Sequence, residues 1–220
     1  MNPIVVKVLF RSVVKHAARD GFVGRNRERG NPGKGRFTRS EIDDILKQVW
    51  ALFDESARDI PQEPKLGNRL VMLLACLTLN CLEIIVRHGV ERQYAIELIG
   101  DVCWNVYKRW GQILIPFVNL RSRDPRERMR MFVNLFLRFP FTPPGYRFER
   151  RSSTEGISVN MLRCPVAEYL GARQASDLCV GAWCNLDFAL AEMWGGRLER
   201  NETLAGGCER CDFRFKADAR

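Results

Sequence analysis

Histidine is nearly missing from this chain. Only His16 and His88 occur in 220 residues. Each lies in or near the end of a helical stretch, where a histidine caps the helix or faces water, so neither is expected to be a metal ligand. Long clean apolar runs are missing too. The longest, Leu70 to Val86, contains Asn80 and Glu83 and does not read as a membrane span. A secretory leader is not expected either, because Lys7 interrupts Ile4 to Phe10 and no small-residue cleavage site follows. Without one, the eight cysteines do not imply a disulfide framework, and a cytoplasmic protein is expected. Internal repeats and low-complexity tracts are likewise missing.

What is present is an ordinary globular composition, 46% hydrophobic and 28% charged. The net charge of +9 invites a nucleic-acid reading, but its distribution argues otherwise. Residues 1–36 carry a net +7 and residues 121–151 a net +6, so the remainder sums to −4. The basic arm lacks interleaved aromatics for base stacking, and no nucleic-acid partner is expected. The basic, acid-free first 19 residues read as an amphipathic helix that packs on the domain, with peripheral contact to an anionic membrane as the alternative.

Three regions follow from the patterning. Residues 1–36 form the basic helix and a Gly/Pro-rich loop. Residues 37–145 are helical. Ser40 is expected to cap a helix carrying Ile42, Ile45, Leu46, Val49 and Phe53, and helices follow over Asn68 to His88, Glu91 to Trp110 and Arg126 to Phe139. Residues 146–220 switch to alternation, with strands at Tyr146 to Arg150, Gly156 to Cys164, Arg197 to Leu204 and Arg210 to Lys216. Between them lie a short helix over Pro165 to Leu170 and a longer one over Ala175 to Met193. The expected fold is α+β: an amino-terminal helical bundle packed on a small antiparallel sheet with two helices, as one compact unit over 37–220.

Five of the eight cysteines fall between Cys164 and Cys211. Cys76, Cys81 and Cys103 lie in apolar helical sequence and read as core residues. On the strand ending at Cys164, Ser158, Asn160, Leu162 and Cys164 share one face. Cys164 precedes a helix that starts with Pro165, so the helix dipole and neighbouring Arg163 should lower its thiol pKa. On the long helix, Cys184 and Asp187 are three residues apart on one stripe. An Asp among Ala182, Trp183, Leu186, Phe188 and Leu190 should have a raised pKa and act as a proton carrier. On the last strand, Cys211, Phe213 and Phe215 share the inward face and Asp212 and Arg214 the other, where Arg214 either binds an anion or joins an exposed charge ladder. Cys208 and Cys211 form a Cys-x-x-Cys pair that, with Cys164 and Cys184, offers zinc or another soft metal as a minority reading.

The blocks Asn160-Met-Leu-Arg163-Cys164-Pro165-Val-Ala167-Glu168-Tyr169, Cys184-x-x-Asp187-Phe188, Arg200-x-x-Thr203 and Cys211-Asp212-Phe213-Arg214 resemble the L-2-amino-thiazoline-4-carboxylic acid hydrolase family over about Val159 to Phe215. The resemblance implies hydrolytic opening of a small cyclic amidine to an N-carbamoyl amino acid, without a resident cofactor. Cys179 and Cys208 lie outside the blocks and are set aside. The expected site has Cys164, Cys184, Asp187 and Cys211 as catalytic residues, with Cys184 as nucleophile and Asp187 passing a proton to a departing ring nitrogen. In an alternative, Asp187 activates water and the thiols shape the pocket. Asn160, Arg163 and Arg214 are the expected substrate-binding residues, the arginines for a carboxylate and Asn160 for developing charge. Trp183 to Asp187 is also similar to the Cys-x-x-Asp segment of organomercurial lyases, where two thiolates grip a metal–carbon bond. A non-catalytic thiol module for metal or redox sensing is the third reading.

Overall fold

The computed structural model describes residues 2–151 and 153–218; Met1, Ser152, Ala219 and Arg220 lie outside the described residues. The architecture is α+β, a helical layer backed onto a four-stranded antiparallel sheet.

Helix α1 (Pro3–Phe22) buries Val6, Phe10, Val14, Ala17 and Ala18. That spacing of three and four presents one apolar stripe to α2 and α4. Helix α2 (Arg39–Ser56) begins at Thr38 rather than Ser40. The Thr38 hydroxyl accepts from the Glu41 amide at 3.3 Å, and the Thr38 amide donates to the Glu41 carboxylate at 2.8 Å. This reciprocal capping box satisfies two helix-terminal donors, which Ser40 inside the first turn does not do. Helix α3 (Leu66–Arg87) is long and apolar enough to cross a membrane, yet 67% of its most apolar window is buried inside the fold. It is the central helix expected from its apolar circumference. Helix α4 (Arg92–Arg121) runs eleven residues past the expected end at Trp110, continuing through Pro116. Helix α5 (Pro125–Arg138) turns Met129, Phe132 and Val133 toward the sheet.

The strands are β1 (Arg147–Arg151), β2 (Gly156–Arg163), β3 (Gly196–Glu199) and β4 (Cys211–Ala217), in the order β1-β2-β4-β3. Met161 pairs with Cys211, Val159 with Phe213 and Ile157 with Phe215. Strand alternation therefore puts these six side chains on one face, and α5 covers it. Helix α6 (Pro165–Gly171) follows β2 directly.

The expected long helix over 175–193 is one continuous right-handed path with an irregular centre. A short α7 (Ser176–Leu178) leads into a π-helical turn (Cys179–Cys184), and α8 (Leu186–Met193) completes it. Two glycines let this segment approach α4 closely. A Cβ on Gly181 would lie 2.4 Å from Ile96 Cγ2, and one on Gly111 would lie 2.2 Å from Met193 Cε.

Arg163 ties the two layers together. Its guanidinium donates to Glu63 (3.1 Å), Glu168 (3.0 and 2.9 Å) and the Gly145 carbonyl (2.7 Å). Glu63 is buried, so removing its cation leaves a carboxylate stranded under α3. Arg163 remains one-third exposed, which screens part of the pair. Arg163→Ala is expected to lower stability by about 2 kcal/mol, read as a shift of the urea midpoint at constant slope.

Candidate active site

The thiols that are scattered in sequence converge. Cys164, Cys179, Cys184 and Cys211 line one cavity of about 100 Å³ together with Asp187. Tyr107, Tyr146, Trp183 and Phe141 close its sides. Trp183 is held by a hydrogen bond from its indole N–H to Thr78 on α3 at 3.0 Å. A second void of about 60 Å³ shares Phe141, Met161, Asp187 and Phe213 with the first, so Asp187 stands between two lobes.

Cys184 is distinguished from the other thiols by its partner. Cys184 follows Cys179 by five positions. An ordinary α-helix, at 3.6 residues per turn, sets such residues well apart around its axis, whereas the wider π turn lines them up. The turn is marked by the Asn185 amide bonding to the Val180 carbonyl at 3.2 Å. Cys179, across the π turn, acts to hold the Cys184 pKa below the ordinary thiol value, against the opposing effects of burial and of Asp187. Cys179 is correspondingly raised and stays protonated.

The remaining cavity thiols go the other way. Burial pushes Cys164 up to about 12, although amides at the start of α6 act in the lowering direction. The expectation of a low-pKa Cys164 is thereby corrected. The sulfur does sit at the helix N-terminus, but desolvation outweighs the terminal amides, and the Arg163 charge is committed elsewhere. Cys211 is also pushed up to about 12 by burial, and its sulfur accepts from the Leu204 amide at 3.3 Å.

Asp187 behaves as its apolar neighbours suggest. Burial raises its pKa to about 7, with Arg200 acting against the rise. Its carboxylate side chain keeps 30% exposure, and it lines both lobes of the cavity. Arg200 donates from Nη1 to the Cys184 carbonyl (2.8 Å) and to Asp187 Oδ2 (3.3 Å), and its guanidinium stacks over Phe188 at 4.8 Å. Asp212 fixes the loop that carries Arg200, accepting from the Asn201 and Glu202 amides at 2.9 and 2.7 Å.

Three expected substrate-binding residues lie elsewhere. Arg163 is the inter-layer tie described above. Asn160 and Arg214 face away from Met161 and Phe213, on the opposite side of the sheet, where Arg214 donates to Asn160 Oδ1 at 3.1 Å. Strand alternation places Asn160 correctly. The error lies in carrying it on to Cys164, which stands beyond the end of β2 and turns back into the cavity with α6. Conversely, Cys179 and Arg200 belong to the site. Arg200 was visible as a member of the Arg200-x-x-Thr203 block, whereas nothing in the sequence signals the π turn that recruits Cys179. Cys208 is exposed and does not line the cavity. Among the described residues, no three His, Cys, Asp or Glu side chains are arranged to hold a metal ion.

Residues 117–215 match the L-2-amino-thiazoline-4-carboxylic acid hydrolase family. The resemblance read from the sequence holds over this span, which contains every cavity-lining residue of the thiol lobe except Tyr107. No curated protein and no solved structure matches the chain.

Two outcomes follow from the electrostatics. Iodoacetamide at pH 7 should alkylate Cys184 several-fold faster than Cys164 or Cys211, and Cys179→Ala should slow Cys184; peptide mass spectrometry reads both. The raised Asp187 pKa means that the folded state binds a proton more tightly than the unfolded chain. Its contribution is therefore complete at pH below 3.8 and is lost as pH rises toward about 7. Across that window wild type should lose thermal stability relative to Asp187→Asn, and parallel melting curves would refute the assignment.

Proposed function

We propose that the chain is a hydrolase that opens a small cyclic amidine through a thiol–carboxylate pair, Cys184 and Asp187. The observation that carries this reading is the convergence of Cys184 and Asp187 on one small cavity, with Arg200 bonded to both residues; the lowered Cys184 pKa and the Asp187 pKa of about 7 agree with it. A nucleophile and a proton donor stand three residues apart in a cavity of small-molecule size, and the family match supports hydrolysis.

Atom balance fixes the order of bonds. For a 2-amino-thiazoline ring, an N-carbamoyl product keeps both nitrogens on the former ring carbon, so the bond that breaks is carbon–sulfur and not carbon–nitrogen. The departing ring nitrogen expected from the sequence is replaced by a departing ring sulfur. The Cys184 thiolate adds to the amidine carbon, and the carbon–nitrogen π pair moves to the ring nitrogen, which takes the Asp187 proton. The nitrogen lone pair then reforms the double bond and expels the ring sulfur as a thiolate. Water adds to the resulting Cys184 isothiouronium and gives its proton to Asp187. Collapse breaks the carbon–Sγ bond, returns the Cys184 thiolate and forms the urea carbonyl, and the remaining hydroxyl proton passes to the product thiolate. Arg200 favours the Asp187 carboxylate produced in the first step and holds the Cys184 carbonyl in place. Cys164 and Cys211 stay protonated and donate weakly into the cavity. We propose no resident metal or cofactor and a cytoplasmic small-molecule role.

A second reading draws on Cys211 sharing the cavity with Cys184 and Asp187, since two thiols and a proton donor also suit protonolysis of a carbon–mercury bond. Side-by-side assays separate the two. Ring opening followed by product mass spectrometry should fall about 10³-fold in Cys184→Ala and about 10²-fold in Asp187→Asn, with Cys211→Ala milder. In wild type the rate should decline above about pH 7 as Asp187 loses its proton. Wild-type ring-opening rates in the first two variants would sink the scheme, and thiol-dependent mercury release without ring opening would favour the second reading.

A further inference from the structure

The family name specifies a carboxylate on the substrate, and a buried carboxylate needs a cation or several donors beside it. The residues lining the two lobes include no lysine, arginine or histidine among the described residues. The arginines that the sequence offers for this task are spent. Arg163 binds Glu63, Glu168 and the Gly145 carbonyl, and Arg214 lies on the far face of the sheet with Asn160. Arg200 is 5% exposed, and its polar contacts are the Cys184 carbonyl and Asp187. Meanwhile the lobe beyond Asp187 is walled by Val133, Leu137, Val159, Leu190, Trp194 and Phe215. Asp187 is its single charged group, and that charge is negative.

We infer that this lobe is a substrate subsite for an uncharged apolar group, so that the chain takes an amidine bearing an aliphatic or aromatic substituent where the family's named substrate bears a carboxylate. The inference rests on the cyclic-amidine reading above and refines its substrate class. The amidine end lies at Asp187, whose carboxyl group meets a planar nitrogen pair with two parallel hydrogen bonds, the proton of one of them being the proton that Asp187 passes to the ring nitrogen. The apolar end displaces water from the aromatic lobe, which is the favourable direction of transfer. A carboxylate in the same position would lose its hydration, find no cation and face the Asp187 charge across a low-dielectric gap. The two lobes, at about 100 and about 60 Å³, hold a molecule of one ring and a short substituent.

The test separates recognition from reaction by using probes that are not turned over. Benzamidine joins an amidine to an apolar ring, and 4-carboxybenzamidine adds only the carboxylate. By isothermal titration calorimetry on the full chain, benzamidine should bind roughly tenfold or more tightly than 4-carboxybenzamidine. Val133→Phe, which fills the lobe, should weaken benzamidine by a similar factor, with Val133→Leu as the gentler filling if the larger residue prevents folding. Asp187→Asn should weaken both probes. Equal or tighter binding of the carboxylate probe, or benzamidine binding indifferent to both Val133 substitutions, overturns the subsite. If the calorimetric preference is present while wild type opens no cyclic amidine, the subsite stands and the reaction assignment falls.

Discussion

The layout of this cavity depends on one backbone irregularity, the π turn that brings Cys179 and Cys184 to the same side of their helix. A buried thiol is normally pushed away from the thiolate form, as Cys164 and Cys211 both show, and a nearby carboxylate adds to the push at Cys211. Cys184 goes the other way because Cys179 faces it from within its own helix. The two thiols share the cavity because the backbone widens into a π turn between α7 and α8. Gly181, having no side chain, lets that turn rest against Ile96 of α4. A backbone irregularity, a glycine and a neighbouring helix thus bring two thiols together.

Arg200 completes the arrangement by setting a limit on Asp187. Without a counter-charge, burial alone would raise the carboxyl group further and leave it a poor acceptor; with Arg200 beside it, the group titrates near 7 and can both give and take a proton. Asp212 places Arg200 indirectly, by gripping the amides of the next two residues. The order of short blocks in the sequence has a plain physical basis here: the first supplies cavity wall, the second Cys184 and Asp187, the third the Arg200 that bonds Asp187, and the fourth the Asp212 that anchors the Arg200 loop.

Much of the fold was legible from periodicity. The stripes of α2, α3 and α5 and the alternation of β2 and β4 needed only spacing and burial to be read, and the α+β layering follows from where the period changes after Gly145. The stripe through Cys184 and Asp187 was legible for the same reason. The misreadings share a cause, which is that local rules cannot see long-range partners. Arg163 beside Cys164 looks like an activating charge until Glu63, one hundred residues earlier in the chain, claims it. Cys179 looks like a bystander because its spacing to Cys184 is meaningless in an ordinary helix. The helix expected to end at Trp110 runs on as α4 through Pro116 to Arg121.

Tyr107 has a wider consequence. It is the single wall of the thiol lobe supplied by the helical region that precedes the family-matched span. One wall of the frame is therefore encoded outside the stretch that carries Cys184 and Asp187, and the remaining walls are encoded within it. A change at Tyr107 alters the shape of the thiol lobe from a helix that carries none of its cysteines or its carboxylate.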